Sequence, residues 1–404
     1  MKRSTRYLLI VIAIALLPVV AKLQAMLDPG RKQFQPGKGV SSVMTQVGNN
    51  PVVLPSQFVA GTVVGFREVV AGLLWVRVTD FFHQGNYAAI VPLTRIITWL
   101  DPHQIDVYCT GAWHLAYNFV DSAQRADHRY LVPAMKFLEE GIKNNPGVWD
   151  PKFDLGFTMY SMKAQEFDKA VYWIRKASQD KGAPLRLERQ TAHNLEKWGK
   201  IDECEKQWLE CIEHAKAALK KNPKDLYAQD HLTLSQQNLD RLRLRRALRA
   251  DLAKRQTNVH FEATFKRIAP RVFVISGKAN LPDYARISVV LMDEDYKRPS
   301  LKEFTWEVDP NTTVLWDIGI HGIVVENGKF ERRYDLTKDV KQYPFKKDRY
   351  ILTLTFDPRT AANWVQDTTG WNGEGITDDK YLDTSVSGVR RIRKVFHLKR
   401  EDII

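Results

Sequence analysis

Residues 149–178 read WDPKFDLGFTMYSMKAQEFDKAVYWIRKAS. Phe167, Ala170, Ile174 and Ala177 recur at steps of three and four, the spacing of one face of an α-helix. A 3.6-like apolar spacing holds from about Gly61 to Gln256, with few strand signals. Proline-terminated helix ends punctuate it: Leu100-Asp101-Pro102, Asn144-Asn145-Pro146, Ala183-Pro184 and Lys221-Asn222-Pro223. The intervals between these prolines are 44, 38 and 39 residues. Such a recurrence predicts repeated helical hairpins. One hairpin cannot bury its apolar face alone. Stacked hairpins can, and they leave a concave surface suited to a peptide or protein segment.

Particular residues carry a likeness to a known repeat. Ala134, Leu138 and Gly141 precede Pro146 at second-helix spacing. Trp149, Leu155-Gly156, Phe167-Asp168-Lys169-Ala170, Ile174 and Ala177 follow as the next unit. These segments, across residues 80–230, resemble tetratricopeptide repeats. The proline intervals exceed the ~34-residue period of that family, so the units would carry insertions, and the first helix of the 149–178 unit departs by about two residues from the family spacing. A plain helical bundle is the alternative. The segment GTVVGFREVVAGLLWVRVTDFFHQGNY, Gly61 to Tyr87, is similar to the opening of bacterial membrane-anchored repeat proteins. It is expected to cap the solenoid, with contact to a membrane interface as the other option.

After Thr257 the pattern changes to period two. VHFEATFKR, RVFVISGKA, RISVVLMD, KEFTWEV, GIHGIVVENGKF, RYILTLTF and VRRIRKVFHL predict about seven strands. In KEFTWEV, Phe304, Trp306 and Val308 alternate with Glu303, Thr305 and Glu307, describing one buried and one wet face. Turn signals at Leu281-Pro282-Asp283, Asp309-Pro310-Asn311, Asn327-Gly328 and Asp357-Pro358 favour an antiparallel sandwich. This third resembles an immunoglobulin-like domain without the cysteine–tryptophan–cysteine core, so no functional residue carries over. Arg390, Arg391, Arg393 and Lys394 on both faces of the final strand mark a charged edge. Between Asn363 and Asp383 a Gly/Asp-rich loop is expected. Asp367, Glu374, Asp378, Asp379 and Asp383 could gather around Ca²⁺ there, and Trp364 with Trp371 could form a ligand platform; an ordinary solvated loop is the bland reading.

The first thirty residues address the chain. Lys2, Arg3 and Arg6 precede fifteen uncharged residues, Tyr7 to Ala21. The run fits a signal-peptide core, or a membrane span if Lys22 snorkels and Leu23 to Leu27 continue it. The expected organisation is therefore a signal anchor or transmembrane helix (residues 1–27), a linker (28–57), a tetratricopeptide-like helical domain (58–256) and an immunoglobulin-like β-sandwich (257–404). The fold class is multidomain α and β. Basic residues before the run keep the N-terminus cytoplasmic and place the bulk outside, periplasmic or at the cell surface.

The 404 residues carry 60 Lys+Arg against 47 Asp+Glu. Residues 257–404 hold 24 and 22, which leaves 36 and 25 for the helical half. Arg241, Arg245, Arg246 and Arg249 belong to a dense basic cluster, which reads either as a solvated terminal helix or as a contact for an anionic surface. Nucleic acid is not expected, because no motif accompanies the charge.

Chemistry-bearing motifs are absent from the sequence. There is no G-x-S-x-G, G-x-G-x-x-G or phosphate-binding loop. Cys109, Cys204 and Cys211 form no C-x-x-C. Cys204 and Cys211, seven apart on one helix face, are about 10 Å apart, too far for a disulfide. Glu210-Cys211-Ile212-Glu213-His214 fails the inverted zinc motif, which begins with His. No cofactor and no metal are expected, and the chain does not read as an enzyme. Asp101 can cap the helix after Pro102, and His114 reads as a packing residue. The leading expectation is a membrane-anchored extracytoplasmic scaffold. It would bind protein partners through the solenoid in an envelope assembly, secretion or transport complex. Trp113, Tyr117, Trp149 and Tyr160 are the candidate partner contacts. A carbohydrate- or polymer-binding protein using the sandwich is the alternative, and an envelope enzyme without a recognisable motif is the third. N-terminal sequencing of protein taken from membranes should return a start before residue 22. A new N-terminus at 22–26 would sink the anchored expectation.

Overall fold

The computed structural model describes residues 66–84, 87–252, 257–302, 308–377 and 380–404. The expected anchor, the linker and strand residues 303–307 lie outside the described residues. Among the described residues no helix is long and apolar enough to cross a membrane.

The order is helices first, antiparallel sheets after, as the switch in period predicts. The helices are α1 (Arg67–His83), α2 (Tyr87–Leu100), α3 (Ile105–Trp113), α4 (Leu131–Asn144), α5 (Asp150–Phe153), α6 (Phe167–Ser178), α7 (Arg186–Trp198), α8 (Ile201–Lys221) and α9 (Leu226–Leu252). The strands are β1 (Thr257–Asn258), β2 (Phe261–Ala269), β3 (Val272–Ala279), β4 (Arg286–Asp293), β5 (Val314–Asp317), β6 (Ile323–Val324), β7 (Lys329–Asp335), β8 (Arg349–Phe356), β9 (Ile376–Thr377), β10 (Leu382–Asp383) and β11 (Arg391–Lys399), with α10 (Asn363–Thr369) between β8 and β9.

Packing groups the chain into two compact units. One comprises residues up to Leu115 together with Phe137–Pro151; the other comprises Ala116–Lys136 and Lys152–Ile404. The change from helix to strand at 257 thus falls inside the second unit.

In the first unit the proline-terminated helix ends are joined by one buried side chain. Asn145 Nδ2 donates to the Pro102 carbonyl (2.8 Å) and the Gly141 carbonyl (3.1 Å), while its Oδ1 lies 2.9 Å from His103 Nδ1. Asp101 does not cap α3. It accepts from the His103 N–H (3.1 Å), and α3 starts later at Ile105, after Gln104. α1 buries Val70, Ala71, Leu74 and Val78 and leaves Phe66, Val69, Leu73 and Val76 exposed.

In the second unit the chain after α5 winds as a π-helix, Asp154–Ala164, which ends at Gln165 in the left-handed region (φ 56°). Each i→i+5 turn takes up more chain than an α-turn. This wider winding falls where the sequence departs by two residues from the repeat spacing. Gly156 sits where the π-helix meets α6. A Cβ there would lie 2.9 Å from the Ile174 backbone nitrogen and 2.8 Å from its Cγ1.

The strands form a three-stranded sheet, β2-β3-β7, a six-stranded one, β10-β11-β8-β4-β5 with β6 also on β4, and a short parallel pair, β1-β9. The two larger sheets close over one core, in which Phe273 and Ile275 share a cluster with Ile287, Val289, Leu352, Leu354 and Ile392. β11 pairs along β8, and only the two residues of β10 lie beyond it. β5, which period-two reading passed over, pairs with β4. The expected loop 363–383 instead begins with α10.

Substituting Gly156→Ala should lower stability by about 1–3 kcal/mol, because the methyl meets backbone. Gly72→Ala, in α1 with nothing within 4 Å of the added carbon, should gain up to about 1 kcal/mol from helix propensity. Urea denaturation of both variants checks this; equal effects would refute the close approach.

Candidate functional site

The second unit contains a cavity of about 1360 Å³. Its walls come from the Ala116–Leu131 segment, the π-helix, α7, the β4–β5 region of the sheet, and the stretch from Arg359 through α10. A set of polar contacts, buried around Asp121 and exposed at Ser122, positions the first of these walls. Asp121 accepts from the Ala123 and Arg125 N–H groups (both 2.9 Å), from Arg125 Nε (2.6 Å) and from the Tyr343 hydroxyl (2.9 Å). Ser122 donates to Asp339 through its N–H (2.8 Å) and its hydroxyl (2.6 Å). Asp127 accepts from the Arg129 guanidinium (2.6 Å), which also reaches the Thr312 carbonyl at 3.3 Å.

This anchoring lays the His128 ring flat on Trp316, with centroids 4.0 Å apart and planes 2° apart. His128 Nε2 and Trp316 Nε1 are both buried without a hydrogen-bond partner. Burial, reinforced by the Arg298 and Lys163 charges, pushes the His128 pKa down to about 3. Burial likewise lowers His193 on α7 to about 4, with Arg241, Lys197 and Arg189 adding to it.

The cavity lining is cationic. Arg125, Lys163, Lys197, Arg241, Arg286 and Arg359 face only Asp127 and Glu196. Arg125 pairs with Asp121, Arg359 with Asp357 (2.7 Å) and Arg241 with Glu196 (2.8 Å), while Arg286 donates to the Ile320 carbonyl (2.8 Å). Lys163 and Lys197 make no close ion pair among the described residues, although the Glu196 charge acts on Lys197. The Lys163 ammonium lies over the Tyr117 ring, 3.7 Å from its centroid, and burial lowers its pKa to about 8. Lys197 lies 6.0 Å over Phe167, and its pKa is also lowered by burial. Both carboxylates of the cavity are held by guanidiniums, which leaves neither as a free general acid or base beside the histidines. The arrangement can take an anionic group flanked by apolar or planar surface.

The four predicted partner contacts are dispersed. Tyr117 lines the cavity; its hydroxyl donates to the Thr158 carbonyl (3.4 Å). Trp113 is exposed in the first unit, Trp149 is half-buried there, and Tyr160 is buried in the second.

The four arginines of the basic cluster are engaged within the chain. Arg245 and Arg249 are buried. Arg245 binds Glu196 (2.5 Å), Asp367 (3.2 Å) and Gln366 (2.8 Å), and Arg249 binds Asp367 (2.9 Å). Arg246 pairs with Asp202 (2.6 Å) and Glu205 (3.1 Å). Only Arg241 and Arg246 keep exposed guanidinium surface, because α9 packs its basic face on α8 and α10.

The calcium and tryptophan readings of 363–383 meet the same pairing. Asp367 is bound by Arg245 and Arg249, Asp383 by Arg391, and Glu374 accepts from the Asn372 N–H; Asp378 and Asp379 lie outside the described residues. Trp371 is buried with Arg249 3.6 Å from its ring centroid, whereas Trp364 is 56% exposed at the cavity wall. They form no shared platform.

Lys163, Lys197 and the His128–Trp316 stack escaped the sequence reading. The two lysines look like any solvated helix positions, and Trp316 lies in the unread strand β5. Among the described residues one grouping of three metal-ligating side chains occurs, Glu188, Cys211 and His231, and none of these lines the cavity.

No protein-family model matches the chain, and no curated protein matches it.

The depressed pKa of His128 has a defined sign. Below pH 6.5 the unfolded chain takes up a proton that folded His128 refuses until about pH 3, so stability falls as pH drops through that window. His193 acts in the same direction. Asp293, raised by burial to about 6, acts oppositely between pH 6 and 4. In His128→Phe, which preserves the stack, the urea midpoint should fall less between pH 6.5 and 4 than in the parent chain. Parallel profiles would refute the assignment.

Proposed function

We propose that the chain is a membrane-anchored, extracytoplasmic scaffold that holds a partner protein through an acidic, partly apolar segment seated in the cavity of the second unit. The single observation carrying this is the pair Lys163 and Lys197. Two half-buried lysines whose ammonium groups are partly desolvated, neither in an ion pair among the described residues, line one wall system with Tyr117, Phe157 and Phe167. Holding poorly solvated cations without an ion pair costs stability, and an incoming carboxylate offsets that cost. In this reading the helical hairpins are tetratricopeptide-like and the sheets immunoglobulin-like. The stripe Phe66, Val69, Leu73 and Val76, running from the N-cap along α1 at steps of three and four, supports a further helix or membrane-surface contact in the first unit. The chain acts by binding, not by turnover.

Trp364 favours a second reading. Its exposed ring beside the cavity suits a sugar face, so an envelope polymer is the alternative ligand.

The test is a photo-crosslinking residue in place of Tyr117 in the full chain, activated in membranes. A stoichiometric protein adduct is expected. Lys163→Met with Lys197→Met should cut it at least tenfold, equivalent to about 1.4 kcal/mol. Recovery of the chain always alone would overturn the scaffold reading. Glycan capture that is lost in Trp364→Ala would favour the second.

A further inference from the structure

Three helices of the second unit bring together side chains that are far apart in sequence. Glu188 comes from α7, Cys211 and His214 from α8, and His231 from α9. The carboxylate, thiol and imidazole donor atoms of Glu188, Cys211 and His231 all lie within 4.8 Å of one another. His214, one helical turn beyond Cys211, places Nδ1 2.9 and 3.0 Å from the two Glu188 oxygens.

His231 is the independent pointer to a ligand. It is 2% exposed, and both of its ring nitrogens are buried without a hydrogen-bond partner. Its Nε2 stands 3.9 Å from Glu188 Oε2, outside hydrogen-bonding range. The Ser235 hydroxyl, one turn along α9, is also buried without a partner. Buried imidazoles in folded chains are paired as a rule; here an unpartnered one lies beside a thiol and a carboxylate, both of which can donate to a metal ion.

The geometry points to a structural zinc site formed by Glu188, Cys211 and His231, with His214 closing the exposed side. The donor set is mixed sulfur, nitrogen and oxygen, which suits Zn²⁺. Calcium and magnesium take oxygen ligands. Tetrahedral zinc separates its ligand atoms by about 3.5 Å, so the cluster tightens modestly on binding. As the Zn–S bond forms, the Cys211 thiol gives its proton to solvent, and the carboxylate and imidazole bind through lone pairs. No oxidant or reductant is involved. Cys211 is wholly buried, which suits a closed structural site and not a nucleophile.

Of the three clustered donors E-C-I-E-H supplies only Cys211, with His214 flanking the site. The others arrive from neighbouring helices, which a local motif cannot express. The site would clamp α7, the helix whose Gln190, His193 and Lys197 line the cavity, but the inference stands without any assignment of the cavity's ligand.

The test uses the full chain, reduced, stripped with a chelator and titrated with Zn²⁺ alone. One zinc per chain is expected, with a rise in melting temperature. Titration with Co²⁺ should give the thiolate charge-transfer band and the strong visible bands of a tetrahedral site. Cys211→Ser and His231→Gln should weaken zinc by more than about tenfold and abolish the thiolate band or shift it, whereas Cys109→Ser should change neither. If those variants fail to fold, Glu188→Gln and His214→Gln provide the same reading from the rim of the site. Absence of stoichiometric zinc in the parent chain, or its retention in folded Cys211→Ser, would overturn the proposal.

Discussion

The second unit depends on one buried carboxylate. Asp121 is fully removed from solvent on its side chain and gathers two backbone N–H groups, a guanidinium and a phenol. Its partners come from its own turn and from Tyr343, more than two hundred residues later. A carboxylate cannot be buried without such donors, and breaking a buried pair of this kind costs about 3–5 kcal/mol. The constraint forces the 116–136 segment to fold with the sheets. Everything placed by that segment, the His128–Trp316 stack above all, follows from it.

The same economy of charge governs the basic half of the chain. Its excess of cations looks like an external binding surface when counted along the sequence. In three dimensions Glu196 is shared by Arg241 and Arg245, and Asp367 by Arg245 and Arg249. These carboxylates come from α7 and α10, so the cluster knits elements together. In the cavity wall Lys163 and Lys197 make no ion pair among the described residues, and both lie against aromatic rings. Location in a poorly solvated wall, and not local density, makes a charge available to a ligand.

Legibility followed the range of the interaction. Helix periodicity in α6 and strand alternation in β4 and β8 arise within a few residues, and the expected ranges match the observed ones closely. β5 is four residues long and β6 two, too short to show a period. The π-helix was visible only as a spacing discrepancy, because apolar spacing cannot distinguish an inserted residue from a widened turn. α10 was hidden by the glycines and aspartates around it. Asp101 showed the limit of capping rules: it satisfied the turn instead of the helix.

By itself the sequence determined the order of elements, helices before antiparallel strands, because period and turn chemistry are local properties of the chain. It also determined which residues are apolar enough to form cores. Only the tertiary structure decided which polar groups are satisfied. It placed Asp121 on Tyr343, engaged the arginines of α9, left Lys163 and Lys197 out of ion pairs among the described residues, and brought Glu188, Cys211 and His231 within reach of one another. The reason is physical: the free energy of a buried polar group is set by what surrounds it, and these surroundings are assembled from segments that the linear chain keeps far apart.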